Sequence, residues 1–245
     1  MQRPYLLSTD TPWHQFPPLD KALKYPDGLL AIGGDLHVQR LVHAYKQGIF
    51  PWYSDEQPIL WWSPDPRMVL FPERLKVSRS LRKNIRNGGF SVTLNHAFLD
   101  VIAACALVVR EEQEGTWITE EMMEAYYALH QQGIAHSVEC WFEGRLVGGL
   151  YGLGLGRVFF GESMFSLMSN ASKVAFSVFT RQLQAWNYAL IDCQVHTTHL
   201  ESLGAETIPR TLFRQLLDSH CEQDSCLSSA KKQLAMTSFF NHSSE

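Results

Sequence analysis

A chain of 245 residues, 45% hydrophobic and 19% charged, is long enough for one large domain or two modest ones and too apolar to be disordered throughout. Its formal net charge of -4 gives no overall signature of a nucleic-acid binder, so a polyanion site would have to be a local patch. No run approaches the roughly 20 apolar residues of a membrane span, and Pro4 and Asp10 interrupt the N-terminal stretch where a secretory signal needs an apolar core, so a cytoplasmic protein is expected.

Residues 1 to about 34 are irregular, rich in Pro and aromatics, with turn chemistry at Asp27-Gly28 and Gly33-Gly34. Asp35 is suited to cap a short helix with Val38, Leu41, Val42 and Tyr45 on one face, and Gly48 stands where that helix would end. The Trp- and Pro-rich segment from Pro51 to Pro66 then reads either as the core of a small domain or as a stacking surface for a flat ring. After a strand-like Met68 to Phe71, Ser78 can cap a helix on which Arg79, Arg82, Lys83 and Arg86 fall at i, i+3, i+4 and i+7, while Leu81 and Ile85 face inward. Solvated helix faces usually mix signs, and this one does not, which points to a polyanion.

A helix with Phe98, Val101, Ile102 and Cys105 follows, and Thr119 caps another that carries Met122, Tyr126 and Leu129 and ends at Gly133. Residues 136 to 142 alternate as a strand, Glu143-Gly144 turns, and Leu146 to Leu155 returns as a Gly-rich strand. Gly152-x-Gly154-x-Gly156 precedes a strand rather than a helix, so it is a poor phosphate loop.

Gly156 to Ser166 is apolar enough for a buried strand yet holds Gly161, Glu162 and Ser163 in its middle. Strict alternation puts Phe160, Glu162 and Met164 on one face and Phe159, Gly161, Ser163 and Phe165 on the other, with Gly161 marking a bulge or a close approach to the backbone. A helix spans about Asn170 to Trp186, with Val174, Val178 and Leu183 inward. Tyr188 to Val195 is a second buried strand, and Asp192 and Gln194 share one of its faces. Such a pair is either a satisfied core hydrogen bond or a ligand site in which Asp192 accepts from the Gln194 amide and leaves its carbonyl oxygen for a substrate amine. Ser202 through Phe213 reads as a turn, a short strand and a helix, and a polar tail, partly disordered, is expected from 218 to 245. Cys105, Cys140, Cys193, Cys221 and Cys226 form no Cys-x-x-Cys pair, and His196-x-x-His199 has no companion at metal-ligand spacing, so neither a disulfide framework nor a metal is expected.

Eight stretches in order together resemble the bacterial leucyl/phenylalanyl-tRNA-protein transferases: Gly28 to Leu36, Gly48 to Ser54, Trp61 to Arg67, Gly115 to Thr119, Gly161 to Ser166, Asn170 to Lys173, Ile191 to Val195 and His199 to Ala205. The resemblance implies an α/β (α+β) fold with a small N-terminal domain over residues 1–66 and a GNAT-like acyltransferase core over 67–217. It implies transfer of Leu or Phe, and less readily Met, from aminoacyl-tRNA to the N-terminal Arg or Lys of acceptor proteins, marking them for N-end-rule degradation. A monomer without a cofactor is expected. By the same resemblance Gln194, oriented by Asp192, positions the attacking amine and Glu162 helps to hold substrate amino groups. Phe159, Met164, Phe179, Leu183, Ile191 and Leu150 map to the apolar donor pocket, Trp52 and Trp117 to adenosine contacts, and the Arg79, Arg82, Lys83, Arg86 stripe to tRNA phosphates. Nothing is carried onto the tail after 218.

Two other readings compete. An acyl-CoA-dependent transferase would want a pyrophosphate loop before a helix, to which Arg145 to Leu150 is a near miss in spacing. A non-catalytic RNA-binding module explains the basic stripe and leaves Glu162, Asp192 and Gln194 without a task.

Overall fold

The structure, a computed structural model, describes residues 3–108, 118–227 and 232–234. The chain first builds a small sheet from β1 (Tyr5–Leu7), β2 (Leu29–Gly33), β3 (Phe50–Pro51) and β4 (Leu60–Trp62), in the order β1-β2-β4-β3. The helix α1 (Val38–Lys46) connects β2 to β3. Asp35 does not cap it: His37 does, accepting from the Gln39 amide, and Asp35 instead receives the His37 amide and two hydrogen bonds from the buried Arg40. A carboxylate two residues before the cap serves the buried cation better than the helix end.

The large sheet has eight strands in the order β11-β5-β10-β9-β8-β7-β6-β12. They are β5 (Arg67–Leu70), β6 (Phe90–Leu94), β7 (Ala135–Phe142), β8 (Arg145–Leu155), β9 (Val158–Ser166), β10 (Leu190–Gln194), β11 (Glu206–Ile208) and β12 (Lys232–Gln233). Within this sheet, among the described residues, only β9 and β10 pair in parallel, and the helix α5 (Ala171–Ala185) makes the crossover that such a pair requires. The remaining helices are α2 (Arg79–Asn87), α3 (Phe98–Ala106), α4 (Glu120–Gln131), α6 (Thr198–Ser202) and α7 (Arg210–His220).

Local chemistry explains most of these elements. Ser78 and Thr119 cap α2 and α4 by accepting from Leu81 and Met122 amides. Glu143 and Gly144, both at positive φ, make the two-residue turn that joins β7 to β8. A side chain at Gly148 would meet the Ala171 Cβ at 2.7 Å, so glycine there lets α5 lie close on the sheet.

The sheet is covered on both faces. One core joins the small sheet through Leu30 and Trp61 to Phe160 of β9, to α3 and α4 and to Phe213 of α7. The other lies under α2 and α5 and holds Leu81, Ile85, Val178 and Leu183. Within the segment read from sequence as a polar tail, α7 runs to His220, Cys221, Leu227 and Leu234 are buried, and Lys232–Gln233 pairs with β6. Isolated apolar residues in a polar stretch carry no periodicity, so sequence pattern passes over them. Among the described residues no helix is long and apolar enough to cross a membrane.

Candidate active site

The site is built around an irregularity in β9. Tyr151 faces Ser163 and the next residue, Gly152, faces Gly161, so Glu162 is the extra residue of a bulge. Beyond it the alternation reverses: Phe160 and Phe165 share one core, whereas Phe159 and Met164 belong to the other. The expectation that Met164 lies on the face of Phe160 and Glu162 is therefore corrected, because one unpaired residue shifts every later side chain to the opposite face.

Glu162 is buried and fully engaged. The Tyr126 hydroxyl donates to its Oε2 at 2.9 Å, the Gln194 Nε2 donates to its Oε1 at 2.8 Å, and the Tyr45 hydroxyl is hydrogen-bonded to that of Tyr126. Burial pushes the Glu162 carboxyl up to about 7, with the Tyr45 and Tyr126 hydrogen bonds pulling it back, Asp192 raising it and Arg67 lowering it. Burial, then the Glu162 charge, pushes both phenols well above their ordinary values, which keeps them as donors.

Asp192 and Gln194 do not make the side-chain bond expected of them. The β10–β5 ladder slips between the two residues, and Gln194 sits at φ 61°. Asp192 Oδ1 accepts from the Gln194 backbone amide at 3.0 Å and from Arg67 Nε at 2.8 Å, while Oδ2 accepts from Arg67 Nη2 at 2.7 Å. Asp192 thus orients Gln194 through the backbone, and the Gln194 side-chain amide goes to Glu162. Arg67 is itself enclosed, with its guanidinium 4.7 Å from the Phe50 ring centroid and 4.8 Å from that of Phe213, and a bond to the Gly48 carbonyl.

Sequence reasoning missed three of these groups. Arg67 reads as the end of a Pro-rich loop, and Tyr45 and Tyr126 read as apolar faces of their helices. The available signal was the need itself: a carboxylate on a fully buried strand requires a cation, and one in an aromatic strand requires donors.

Glu162, Asp192 and Gln194 border a cavity of about 630 Å³, with Arg67, Tyr45 and Tyr126 behind them. Its apolar wall includes Leu150, Phe159, Met164, Phe176 and Ile191, and Trp52 forms part of it from the small sheet's side. Phe179 and Leu183 lie outside the lining: both are fully buried, and Phe179 meets the Phe159 ring edge-to-face at 4.8 Å and supports it from behind. Trp117 lies outside the described residues. Arg79, Lys83 and Arg86 are exposed and Arg82 is half-buried on α2, which packs on α5 rather than on the cavity. Arg145 to Leu150 lies within β8, so it cannot act as a loop before a helix. Cys193 borders the cavity, but burial pushes its thiol far up, which suppresses nucleophilicity. Among the described residues no three His, Cys, Asp or Glu side chains are grouped to hold a metal.

The arrangement offers an apolar slot for a hydrophobic side chain and, beside it, an amide oxygen and a carboxylate suited to an amine. Comparison with known proteins agrees in kind. The family model described as leucyl/phenylalanyl-tRNA protein transferase matches residues 69–218, and that of its N-terminal domain matches residues 34–65. A leucyl/phenylalanyl-tRNA–protein transferase of Nitrosospira multiformis is 60% identical over 202 residues, covering 82% of this chain and 87% of the relative. Its counterpart in Pseudomonas aeruginosa is 61% identical over 208 residues, covering 85% and 92%. A GCN5-related N-acetyltransferase-like protein from Streptococcus suis is a distant structural likeness, with a TM-score of 0.33 and 13% identity over 67% of this chain and 61% of the other.

Proposed function

The chain belongs to the leucyl/phenylalanyl-tRNA protein transferase family, and on that premise we propose that the cavity beside Glu162 and Gln194 is the place of its aminoacyl transfer. The enzyme moves Leu or Phe, and Met less readily, from aminoacyl-tRNA to the N-terminal Arg or Lys of an acceptor protein, which marks the acceptor for N-end-rule degradation. The donor side chain enters the slot of Leu150, Phe159, Met164 and Ile191, with Phe179 and Leu183 holding its wall. Trp52 stacks on the terminal adenosine, and the α2 stripe holds backbone phosphates without reading sequence.

The observation that carries this reading is the Gln194 amide. Its Nε2 is committed to Glu162, which leaves the carbonyl oxygen to accept a hydrogen bond from the incoming α-amine. The donor ester is already activated, so no Ser or Cys nucleophile is needed. An α-ammonium with pKa about 7.7–8.0 arriving beside Glu162 gives a proton to that carboxylate and becomes nucleophilic. The neutral nitrogen attacks the ester carbonyl, the bond to the ribose oxygen breaks, and the ribose hydroxyl leaves with the amine's second proton. Positioning of amine against ester supplies most of the rate. The need for a pool of aminoacyl-tRNA supports a cytoplasmic site.

The test is transfer of radiolabelled Leu from Leu-tRNA to a peptide beginning with Arg, beside an acetyl-CoA donor and a Gln194→Ala variant. Transfer from the tRNA donor alone, falling by at least about a hundredfold in the variant, is expected. Undiminished transfer by a folded Q194A protein would remove Gln194 from the reaction, and transfer from acetyl-CoA would overturn the donor assignment.

A further inference from the structure

Two stretches with no task in the chemistry above meet at the cavity. Lys173 stands in the first turn of α5 and His199 in α6, and both Ser172 and His199 border the cavity. His199 is half-buried, and its Nε2 has no hydrogen-bond partner among the described residues. Burial, and after it the Lys173 ammonium close by, holds its imidazole below the ordinary value, so a neutral ring lies beside a cation. Glu201, on the same short helix, is taken up by His196 at 3.2 Å.

The rest of α5 continues this charge towards α2. The two helices pack together, and burial followed by neighbouring Arg82 pulls the Arg181 guanidinium below its ordinary value. Neither helix contains an acidic residue. Gathering Arg79, Arg82, Lys83, Arg86, Lys173 and Arg181 on two adjoining helices, in a chain of net charge -4, is a segregation of charge that self-repulsion opposes and a polyanion relieves. Lys173 and Arg181 are eight residues apart, about 12 Å of helix axis, enough to span a short single-stranded segment.

We propose that Lys173 and His199 bind the phosphate immediately 5′ of the terminal adenosine of the aminoacyl-tRNA, and that the single-stranded 3′ end runs along α5 from the α2 stripe, past Arg181, to that point. The proposal rests on the tRNA-dependent reading given above and adds its phosphate subsite. Lys173 acts as a point charge and the His199 ring nitrogen as a neutral donor. The contact positions the ester over the slot without reading sequence.

The phosphate can be isolated with two minimal donors, 3′-O-leucyl-adenosine and the same ester bearing a 5′-phosphate, each with an Arg peptide as acceptor. In the wild type the phosphate raises kcat/KM about tenfold at low salt, chiefly through KM. In Lys173→Gln that ratio falls towards one and the salt slope of log KM for the phosphorylated donor drops by about one. Lys173→Arg restores the ratio, and His199→Gln lowers it with little change in salt slope. A ratio that is unmoved in both K173Q and H199Q overturns the proposal. So does a K173Q protein whose only change is a raised KM for the peptide, which would assign this face to the acceptor. Absence of transfer from either donor in the wild type would instead overturn the tRNA-dependent reading itself.

Discussion

Glu162 is the side chain whose environment does most to shape the chemistry. It is buried among groups that only donate to it, Tyr126 and the Gln194 amide, and burial still leaves its carboxyl at about 7. Because the folded value is raised above that of an unfolded Glu, the native state holds the proton more tightly, and the stability it contributes is present below about pH 4.3 and lost as pH rises through about 7. Glu162→Gln should therefore flatten the decline in thermal stability between pH 5 and 8, by an amount on the order of 2 kcal/mol at pH 8. Activity should move oppositely: kcat/KM for the wild type rises through about pH 7 as the carboxylate forms, and in E162Q the limb shifts up to the α-amine's own value near 8 with a lower plateau. A limb that stays near 7 in the variant would show that Glu162 is not the proton acceptor. Sequence reading found Glu162, Asp192 and Gln194 because each is polar in an apolar strand, which demands a reason. It could not find Tyr126 or Tyr45, whose polar tips meet Glu162 only after α1 and α4 fold against β9, and whose ring faces are indistinguishable from core aromatics in a helical pattern.

At the scale of elements, the β8–β9 hairpin converts a regular ladder into a site. The bulge places Glu162 with the tyrosines and returns Met164 to the side of Phe159, so one strand carries both the carboxylate and part of the apolar slot. Gly152 makes this possible: a Cβ there would stand 2.1 Å from the Phe160 carbonyl oxygen and 2.7 Å from the Phe159 ring. Gly152→Ala should therefore cost several times the usual 0.5–1 kcal/mol of a tolerated core change, roughly 3 kcal/mol in urea unfolding, and should reduce transfer of Phe more than of Leu because the displaced Phe159 narrows the slot. Equal loss for both donors would place the effect on the fold alone. The caps of α2 and α4, the Glu143-Gly144 turn and the strands β5 and β7 to β11 were readable from local chemistry. By contrast, β1 and β2 lie in a stretch read as irregular, β3 and β4 in one read as a loop wall, and β6 and β12 are too short or too polar to show a period. The face assignment after Glu162 was not readable either, since periodicity assumes an unbroken ladder and Gly161 signals a bulge without giving its register.

For the molecule as a whole, Arg67 is the joint. Its guanidinium lies between Phe50 of the small sheet and Phe213 of α7, reaches Gly48, and holds Asp192 of the third strand of the large sheet with two hydrogen bonds. One side chain thereby ties the small sheet and the last helix to the backbone that presents Gln194. The pair is almost wholly buried, at 1% and 0% exposure, so the two charges depend on each other. Arg67→Met should destabilise the protein by about 3–5 kcal/mol, because Asp192 is left buried without its partner, and Asp192→Asn alone strands the cation at a comparable cost. The double variant R67M/D192N should recover most of that loss, since a neutral amide beside an apolar side chain needs no counter-charge. The measurement is urea unfolding of the four proteins, read as a double-mutant cycle with a coupling of at least about 2 kcal/mol. Transfer activity separates the two tasks of Arg67. If the ion pair serves only folding, the double variant regains activity with stability. If Asp192 must hold the left-handed Gln194 backbone with the full strength of a charged acceptor, stability returns while kcat stays low, and that is the outcome the direct Asp192–Gln194 amide bond leads us to expect.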